Sequence, residues 1–442
     1  MSGRPVKKIL CIGAALVLPL AVVSVYFAGN WYSVFHSYSL GMVLGIFAYG
    51  YFLTALVLSA RIRILDRWFG HDRVMVFHGY LASAGIFLVF FHILFKYMFS
   101  FEITGQVLAG IGAFSIFMMV GMLTYLCMTD NIISRSVFGS RSRLSGHPLL
   151  DYSRLKLIHN SVSIAAVLAV IHVFLASSTQ ESGIRMAVMG IWGILALGFY
   201  VYHKGVRVIA LYRKKWTVSH VTQPVPGIVE IRMQGPGIRS HRAGQFAYFR
   251  MLSAVCGYAE HPFTICSAPG SEELAVTIKN LGDYTAALQD IQTGTNVLVD
   301  GPYGIFCPGT AEKPLLFIAG GIGITPFLSI IQSWQHDTVS APVVLMWSCR
   351  RGNEMFAKEF FQDFSRRNDN FRFIPIITDP EGADEKAKRI DKPMLAQMDS
   401  PGVGAFEDIY ICGPAGFMVS VFSHLKELGV GSSKIHFEKF SM

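Results

Sequence analysis

Four histidines fall on two long apolar stretches, His78 and His92 on one and His159 and His172 on the other. An ionisable side chain within such a stretch is costly and marks function by default. Fourteen residues separate His78 from His92. That spacing is about 21 Å of helix and returns to within about 40° of one face, a single stripe at two depths. The other pair is 13 residues apart, which lands about 140° from an ideal face and requires a local distortion of the helix or unequal ligand tilts. The depths agree: His78 and His159 lie near one end of their stretches, His92 and His172 near the other. Two bis-histidine b-type haems, one above the other, would satisfy all four imidazoles. Such iron has no open position, which suits electron transfer better than ligand activation. His36, His71 and His147 lie in loops or at stretch ends and read as solvated.

The remaining chemistry follows residue 215. In His261-Pro262-Phe263-Thr264-Ile265-Cys266-Ser267, the hydroxyls of Thr264 and Ser267 could serve the polar edge of an isoalloxazine. Lys279 stands before Gly282-Asp283-Tyr284-Thr285, where amides at a helix start beside a cation suit a pyrophosphate. Asp300-Gly301-Pro302-Tyr303-Gly304 closes this segment. Pro314–Ala319 then reads as a buried strand entering Gly320-Gly321-Ile322-Gly323-Ile324-Thr325-Pro326 and a helix over Phe327–Ser333. Glycine after a strand lets the backbone approach a phosphate, although this is not the G-x-G-x-x-G pattern. The strand Val343–Ser348 ends at Cys349-Arg350-Arg351, cations placed either for a 2′-phosphate or simply for water. Ile409–Cys412 leads into Gly413-Pro414, and the chain closes on Ile435-His436-Phe437-Glu438-Lys439-Phe440-Ser441-Met442.

These groups must be positioned by two very different halves. Of 442 residues, 52% are hydrophobic and 15% charged, against about 25% charged in a soluble chain. The deficit lies before Arg213, in six apolar runs at about 9–28, 38–60, 74–99, 106–127, 157–177 and 184–203. Each approaches the roughly 20 residues that cross a bilayer. Arg4, Lys7, Lys8, Arg61, Arg63, Arg67, Arg73, Arg135, Arg141, Arg143, Arg154, Lys156, Lys204, Arg207, Arg213, Lys214 and Lys215 fall on one side, and Lys96 and Arg185 on the other. The positive-inside rule then makes both ends cytoplasmic. The net charge of +9 sits largely in these loops, so nucleic acid is not expected as a partner. Met1–Ala28 also has the form of a signal peptide, and its cleavage would leave five spans and invert the second half.

The second half alternates differently. Residues 216–310 carry short β-rich stretches, Ile228–Arg232, Gln245–Leu252, Leu274–Lys279 and Asn296–Asp300 among them, expected as a small antiparallel β-barrel. Residues 311–442 alternate strands and helices, expected as an α/β domain with a parallel sheet. The expected architecture is therefore a six-helix transmembrane bundle at 1–215, an FAD-binding barrel, and an NAD(P)H-binding α/β domain. Seven cysteines show no C-x-x-C spacing, which argues against zinc and structural disulfides.

With these motifs in this order, the chain resembles the NADPH oxidase/ferric reductase superfamily, a six-span bis-haem part followed by a ferredoxin–NADP reductase-like dehydrogenase. The matching segments are His261–Ser267, Gly282–Thr285, Asp300–Gly304, Gly320–Pro326 and Cys412–Pro414, with the two histidine pairs. The resemblance implies FAD on the first three segments and NADPH on Gly320, Gly321, Gly323, Thr325, Pro326, Cys412, Gly413 and Pro414, with Arg350 and Arg351 the candidates already named for a 2′-phosphate. It implies that Phe440 stacks on the flavin where nicotinamide enters, with Cys412 and Thr264 beside the reacting rings. The absence of EF-hand segments and long inserts is similar to bacterial members.

Two departures bear on the acceptor. Superoxide-forming animal oxidases carry a further histidine four residues after the outer ligand of the third span, where this chain has Lys96. No aromatic lies between His159 and His172, so one that bridges the haems must come from elsewhere, with Phe87, Phe90 and Phe91 the expected sources. Lys96 reads as a partner for a haem propionate or as an attractor of an anionic acceptor. The expected activity moves electrons from cytoplasmic NADPH through FAD and two haems to oxygen or a ferric chelate across the bacterial cytoplasmic membrane. The alternative is a carrier that hands electrons to a membrane quinone or a partner protein.

Overall fold

A computed structural model describes residues 13, 17–28, 33, 35–99, 102–127, 152–236, 241–335, 339–379, 388–398 and 402–438. Phe440, His147 and the basic residues Arg4, Lys7, Lys8, Arg135, Arg141 and Arg143 lie outside these described residues. The chain divides into two compact units, Met1–Val208 and Ile209–Met442.

The first unit is helical. A short apolar helix α1 covers Val17–Phe27, followed by α2 (Ser37–Leu58), α3 (Arg63–Phe69), α4 (His71–Phe99), α5 (Gly105–Cys127), α6 (Tyr152–Asn160), α7 (Val162–Leu175) and α8 (Gly183–Val201). Among the described residues, five helical stretches are long and apolar enough to cross a membrane, with α6 and α7 counted as one. Apolar surroundings leave the backbone no partner but itself, which favours helices. His36 was expected in a solvated loop, but its Nδ1 accepts from Tyr38 N at 3.2 Å and caps α2.

Small residues let these helices approach. A Cβ on Gly45 of α2 would come within 2.8 Å of the His92 ring, and one on Gly110 of α5 within 2.6 Å of the His172 ring. Between α6 and α7 the helix is interrupted at Ser161, where the Ser161 hydroxyl bonds Ile158 O at 2.7 Å and the Ser163 hydroxyl bonds Asn160 O at 2.9 Å. Hydroxyls that bond back to the preceding turn bend helices. This break lies two residues after His159, within the 13-residue spacing. After α8 the helix passes through one π-helical turn, Tyr202–Val206, into α9 (Arg207–Arg213).

The second unit begins with an antiparallel sheet of six strands: β1 (Trp216–Val225), β2 (Ile228–Gln234), β3 (Phe246–Met251), β4 (His261–Thr264), β5 (Leu274–Lys279) and β6 (Asn296–Tyr303). Their order is β4-β3-β6-β1-β2-β5. Just beyond β4, Cys266 N bonds Ala275 O of β5 at 2.7 Å, bringing the two edges together there. Short α10 (Asp283–Ala287) lies between β5 and β6.

The parallel sheet contains β7 (Leu315–Gly320), β8 (Val343–Cys349), β9 (Phe371–Ile377), β10 (Asp408–Cys412) and β11 (Ile435–Glu438), ordered β11-β10-β7-β8-β9. Helices α11 (Thr325–Ser333), α12 (Lys358–Arg367) and α13 (Ala415–Glu427) pack on it. Leu315, Phe317 and Ala319 join a core with Phe327, Ile331 and Phe361, whereas Leu316 and Ile318 join one with Met418, Val421 and Leu425. Burial on both faces accounts for the unbroken apolar run of β7. Successive strands run outward from β7 to β8 and β9, and the order then reverses to β10.

Candidate functional site

In the helical unit the four histidines meet in two pairs. The ring centres of His78 and His159 are 6.2 Å apart, as are those of His92 and His172. Two imidazoles that bind one metal from opposite sides, through bonds of about 2 Å, have ring centres about 6 Å apart. Each Nδ1 already has a partner on a neighbouring helix. His78 reaches Ala55 O at 2.8 Å, His92 reaches Gly41 O at 2.6 Å, and His172 reaches Gln106 O at 2.8 Å. His159 reaches the Thr124 hydroxyl at 3.3 Å. A carbonyl only accepts, so Nδ1 carries the proton in three of the four and Nε2 keeps its lone pair for a metal. The residues present therefore fit two bis-histidine irons.

At the level between the pairs lie further aromatics that the sequence did not single out. Phe87 and Phe90 are 63% and 55% exposed, and Phe91 is half-buried. The buried aromatics are Phe52 and Phe117, stacked with centres 3.8 Å apart and planes 5° apart. A Cβ on Gly85, midway between His78 and His92, would touch the Phe52 ring at 2.8 Å. Helix depth, not proximity in sequence, selects them. Lys96 lies with its ammonium 3.6 Å from the centre of the Tyr38 ring, a cation–π contact.

In the second unit Thr264 ends β4 at 4% exposure, and its hydroxyl has no protein partner. Buried polar atoms are almost always hydrogen-bonded, so this one fits a ligand atom such as a flavin edge. Around it, Gln245 Nε2 bonds Gly304 O at 3.0 Å and Tyr303 Oη bonds Asp300 Oδ1 at 3.0 Å. The ring of His261 stacks on Tyr284, 3.7 Å between centres, fastening β4 to α10.

Three residues expected at the flavin also have protein partners. The Thr285 hydroxyl accepts from Leu281 N at 2.8 Å and Gly282 N at 3.0 Å and donates to Gly282 O at 2.9 Å, so it shapes the turn. Lys279 Nζ pairs with Glu354 at 2.8 Å. Ser267 takes Ala275 N on its hydroxyl at 3.2 Å, and its carbonyl receives Ser329 Oγ at 2.9 Å. It lines a separate polar cleft of about 460 Å³ with Arg232, Glu273 and Gln332.

At the carboxyl ends of β7 and β10 the strand order reverses, the position where ligands lie in open α/β sheets. A Cβ on Gly323 would collide with the backbone of Cys412 and Gly413. Gly321 has φ +54°, a left-handed conformation that favours glycine. Thr325 bonds Ile322 O at 3.1 Å, and Pro326 occupies the first turn of α11. Arg350 and Arg351 stand exposed at the end of β8. Cys412 is fully buried, and burial pushes its pKa well above the ordinary value. Burial likewise pushes Cys266 and Cys349 up to about 12. Reactive cysteines are exposed and depressed in pKa, so none of these is a nucleophile. Sequence reasoning missed Glu438, which ends β11 at 7% exposure with its carboxylate against Gly304. Its signal was a lone acidic residue in the apolar alternation of the final strand.

Residues 213–306 match an FAD-binding domain family, and residues 317–422 an oxidoreductase NAD-binding domain family. The chain is similar to respiratory burst oxidase homolog protein D of Solanum tuberosum, 31% identical over 41% of this chain and 24% of that protein. It is similar to the 2-halobenzoate 1,2-dioxygenase electron transfer component of Burkholderia cepacia, 26% identical over 45% of this chain and 58% of that protein. The matched part thus spans 24% of the length of the first relative and 58% of the second. A solved ferredoxin NADP+ reductase from Neisseria gonorrhoeae with bound FAD and NADP covers 51% of this chain and 97% of its own, at 21% identity and TM-score 0.44. The second unit is an NAD(P)H-dependent flavin oxidoreductase module.

Proposed function

We propose that the chain is a member of the NADPH oxidase/ferric reductase superfamily, a reading supported by its FAD-binding and NAD-binding domains and its similarity to a respiratory burst oxidase homolog, and that it moves electrons from cytoplasmic NADPH, through FAD and two b-type haems, to an acceptor across a membrane, oxygen or a ferric chelate. In this reading α1 belongs to a first span, which brings the spans to six with both termini cytoplasmic. The antiparallel sheet acts as the FAD barrel. The observation that carries the reading is the pair of 6.2 Å histidine couples, with every Nδ1 engaged by a neighbouring helix.

When bound, the flavin supplies the change from two-electron to one-electron chemistry, and the haems supply one-electron carriers. The chain's own groups position them. His78, His159, His92 and His172 would hold the irons, while Thr264 would hydrogen-bond the flavin edge. Gly320, Gly321, Gly323 and Gly413-Pro414 leave the nucleotide backbone room, and Arg350 and Arg351 meet a 2′-phosphate. Glu438 sits where the end of β11 approaches Gly304, and Phe440 follows two residues later in sequence.

The engagement of Lys96 with Tyr38 favours a second reading, a carrier that delivers electrons to a quinone or a partner protein, because an ammonium on a ring is less available to a small anion. Haem and flavin content of the purified protein, with NADPH oxidation measured in air and without oxygen, tests the proposal. Two haems and one FAD per chain with fast consumption of oxygen or ferric chelate support it. Turnover only with added quinone favours the carrier, and a haem-free protein overturns both.

A further inference from the structure

Three of the four histidines direct Nδ1 to a main-chain carbonyl, at 2.6–2.8 Å. His159 alone directs it to a side chain, the Thr124 hydroxyl on α5, at 3.3 Å. We infer that Thr124 is a positioning residue that sets the reduction potential of the His78/His159 iron separately from that of the His92/His172 iron. The inference rests on the haem reading above.

The argument is one of acceptor strength. A hydrogen bond from the outer ring nitrogen of a metal-bound imidazole makes the ligand more basic. A more basic ligand favours ferric over ferrous iron and lowers the potential; second-shell hydrogen bonding is one of the protein's levers on haem. A main-chain carbonyl is fixed by its helix, and at 2.6–2.8 Å it pulls strongly on the proton. A hydroxyl at 3.3 Å pulls less and can rotate. His92 and His172 each have a carbonyl, so both ligands of that iron are strengthened. The His78/His159 iron has one strengthened ligand and one weak one, and by this effect it accepts an electron more readily. Thr124 is also the one partner of the four that can be changed without altering a backbone. The helix break after His159 places that ring against α5, so the hydroxyl orients the ring as well.

The experiment is a potentiometric titration of the full-length, haem-loaded protein with dithionite and ferricyanide, followed optically and by low-temperature electron paramagnetic resonance. Each iron takes one electron from dithionite and passes from ferric to ferrous, with both imidazoles and the Nδ1 proton retained. Thr124→Val removes the acceptor and keeps the branched shape. One of the two midpoints is expected to rise, by less than about 59 mV, the shift that marks a tenfold change for one electron, with the other unmoved. Thr124→Asn offers a carbonyl and is expected to lower the same midpoint, while Thr124→Ser stays at the parent value. Should the valine variant lose a haem, the asparagine and serine variants decide. Unmoved midpoints in the asparagine variant with full haem content, or equal movement of both midpoints, overturn the inference. A parent protein without haem overturns the underlying reading instead, so the two failures are distinguishable.

Discussion

In the helical unit the chemistry rests on side chains steered by backbone: His92 is held by Gly41 O at 2.6 Å, and His172 by Gln106 O at 2.8 Å. In the second unit the relation is reversed. Gly323 and Gly413 have no side chains, and the site consists of main chain pressed on main chain. The contrast follows from surroundings. Within apolar spans the helices satisfy their own backbones, so only side chains can reach a cofactor. At the carboxyl edge of a parallel sheet the strand ends leave free amides, and a side chain there obstructs them. The helical site should therefore fail one ligand at a time, and the sheet site by steric intrusion.

The largest expected effect is on the helical side. His92→Leu should remove one haem of two and stop transfer to any acceptor beyond it, while NADPH still reduces the other under anaerobic conditions. Haem quantitation and the reduced-minus-oxidised spectrum measure this, and two intact haems would break the ligand assignment. Next comes the sheet side. Gly323→Ala presses a methyl on the Cys412 backbone, and overpacking of this kind costs about 1–3 kcal/mol. NADP+ binding, followed by equilibrium titration, should weaken about tenfold or more, with FAD retained. Gly45→Ala meets only the movable His92 ring at 2.8 Å, so it should shift one haem spectrum and leave NADP+ binding unchanged.

A smaller effect concerns the exposed cations. Replacing Arg350 and Arg351 by Ala should reduce the NADPH-over-NADH preference in kcat/KM by about tenfold, the low end for charge-assisted contacts at an exposed site. An unchanged ratio would make the pair a solvated face. The smallest effect is on stability at alkaline pH. Cys266 and Cys349 are raised from 9.0 to about 12, chiefly by burial. Between those values the folded state holds protons that the unfolded state has released, so stability is full below about pH 9 and declines above it. At pH 9, with half of the unfolded thiols ionised, the loss is about 0.4 kcal/mol per thiol. Denaturant titrations of parent and Cys349→Ser at pH 7 and pH 9 would detect it.

Much of this was legible in residue order. Five of the six apolar runs marked helices long enough to cross a membrane, because length and hydrophobicity suffice to read them, whereas the first holds only the short α1 among the described residues. The glycine turns were legible because a strand followed by glycines has few other uses, and Thr264 stood out within His261–Ser267. The protein partners of Ser267, Lys279 and Thr285 were not legible, because sequence does not rank competing hydrogen bonds. Which of Phe87, Phe90 and Phe91 faces the interior was not legible either, because adjacency to the ligands in sequence says nothing about which face of α4 is covered.

By itself the sequence determined the division into an apolar half and an α/β half, the four histidines and their two depths, and the glycine edge of the parallel sheet. These follow from periodicity and composition, which are local. Only the tertiary structure decided that His159 turns onto Thr124, that Phe52 and Phe117 fill the level between the pairs, that Glu438 comes to rest against Gly304, and that the Cys412 thiol is sealed away. Each of these depends on which helix or strand lies beside which. That is settled by packing between residues tens to more than a hundred positions apart, for which one linear sequence carries no local mark.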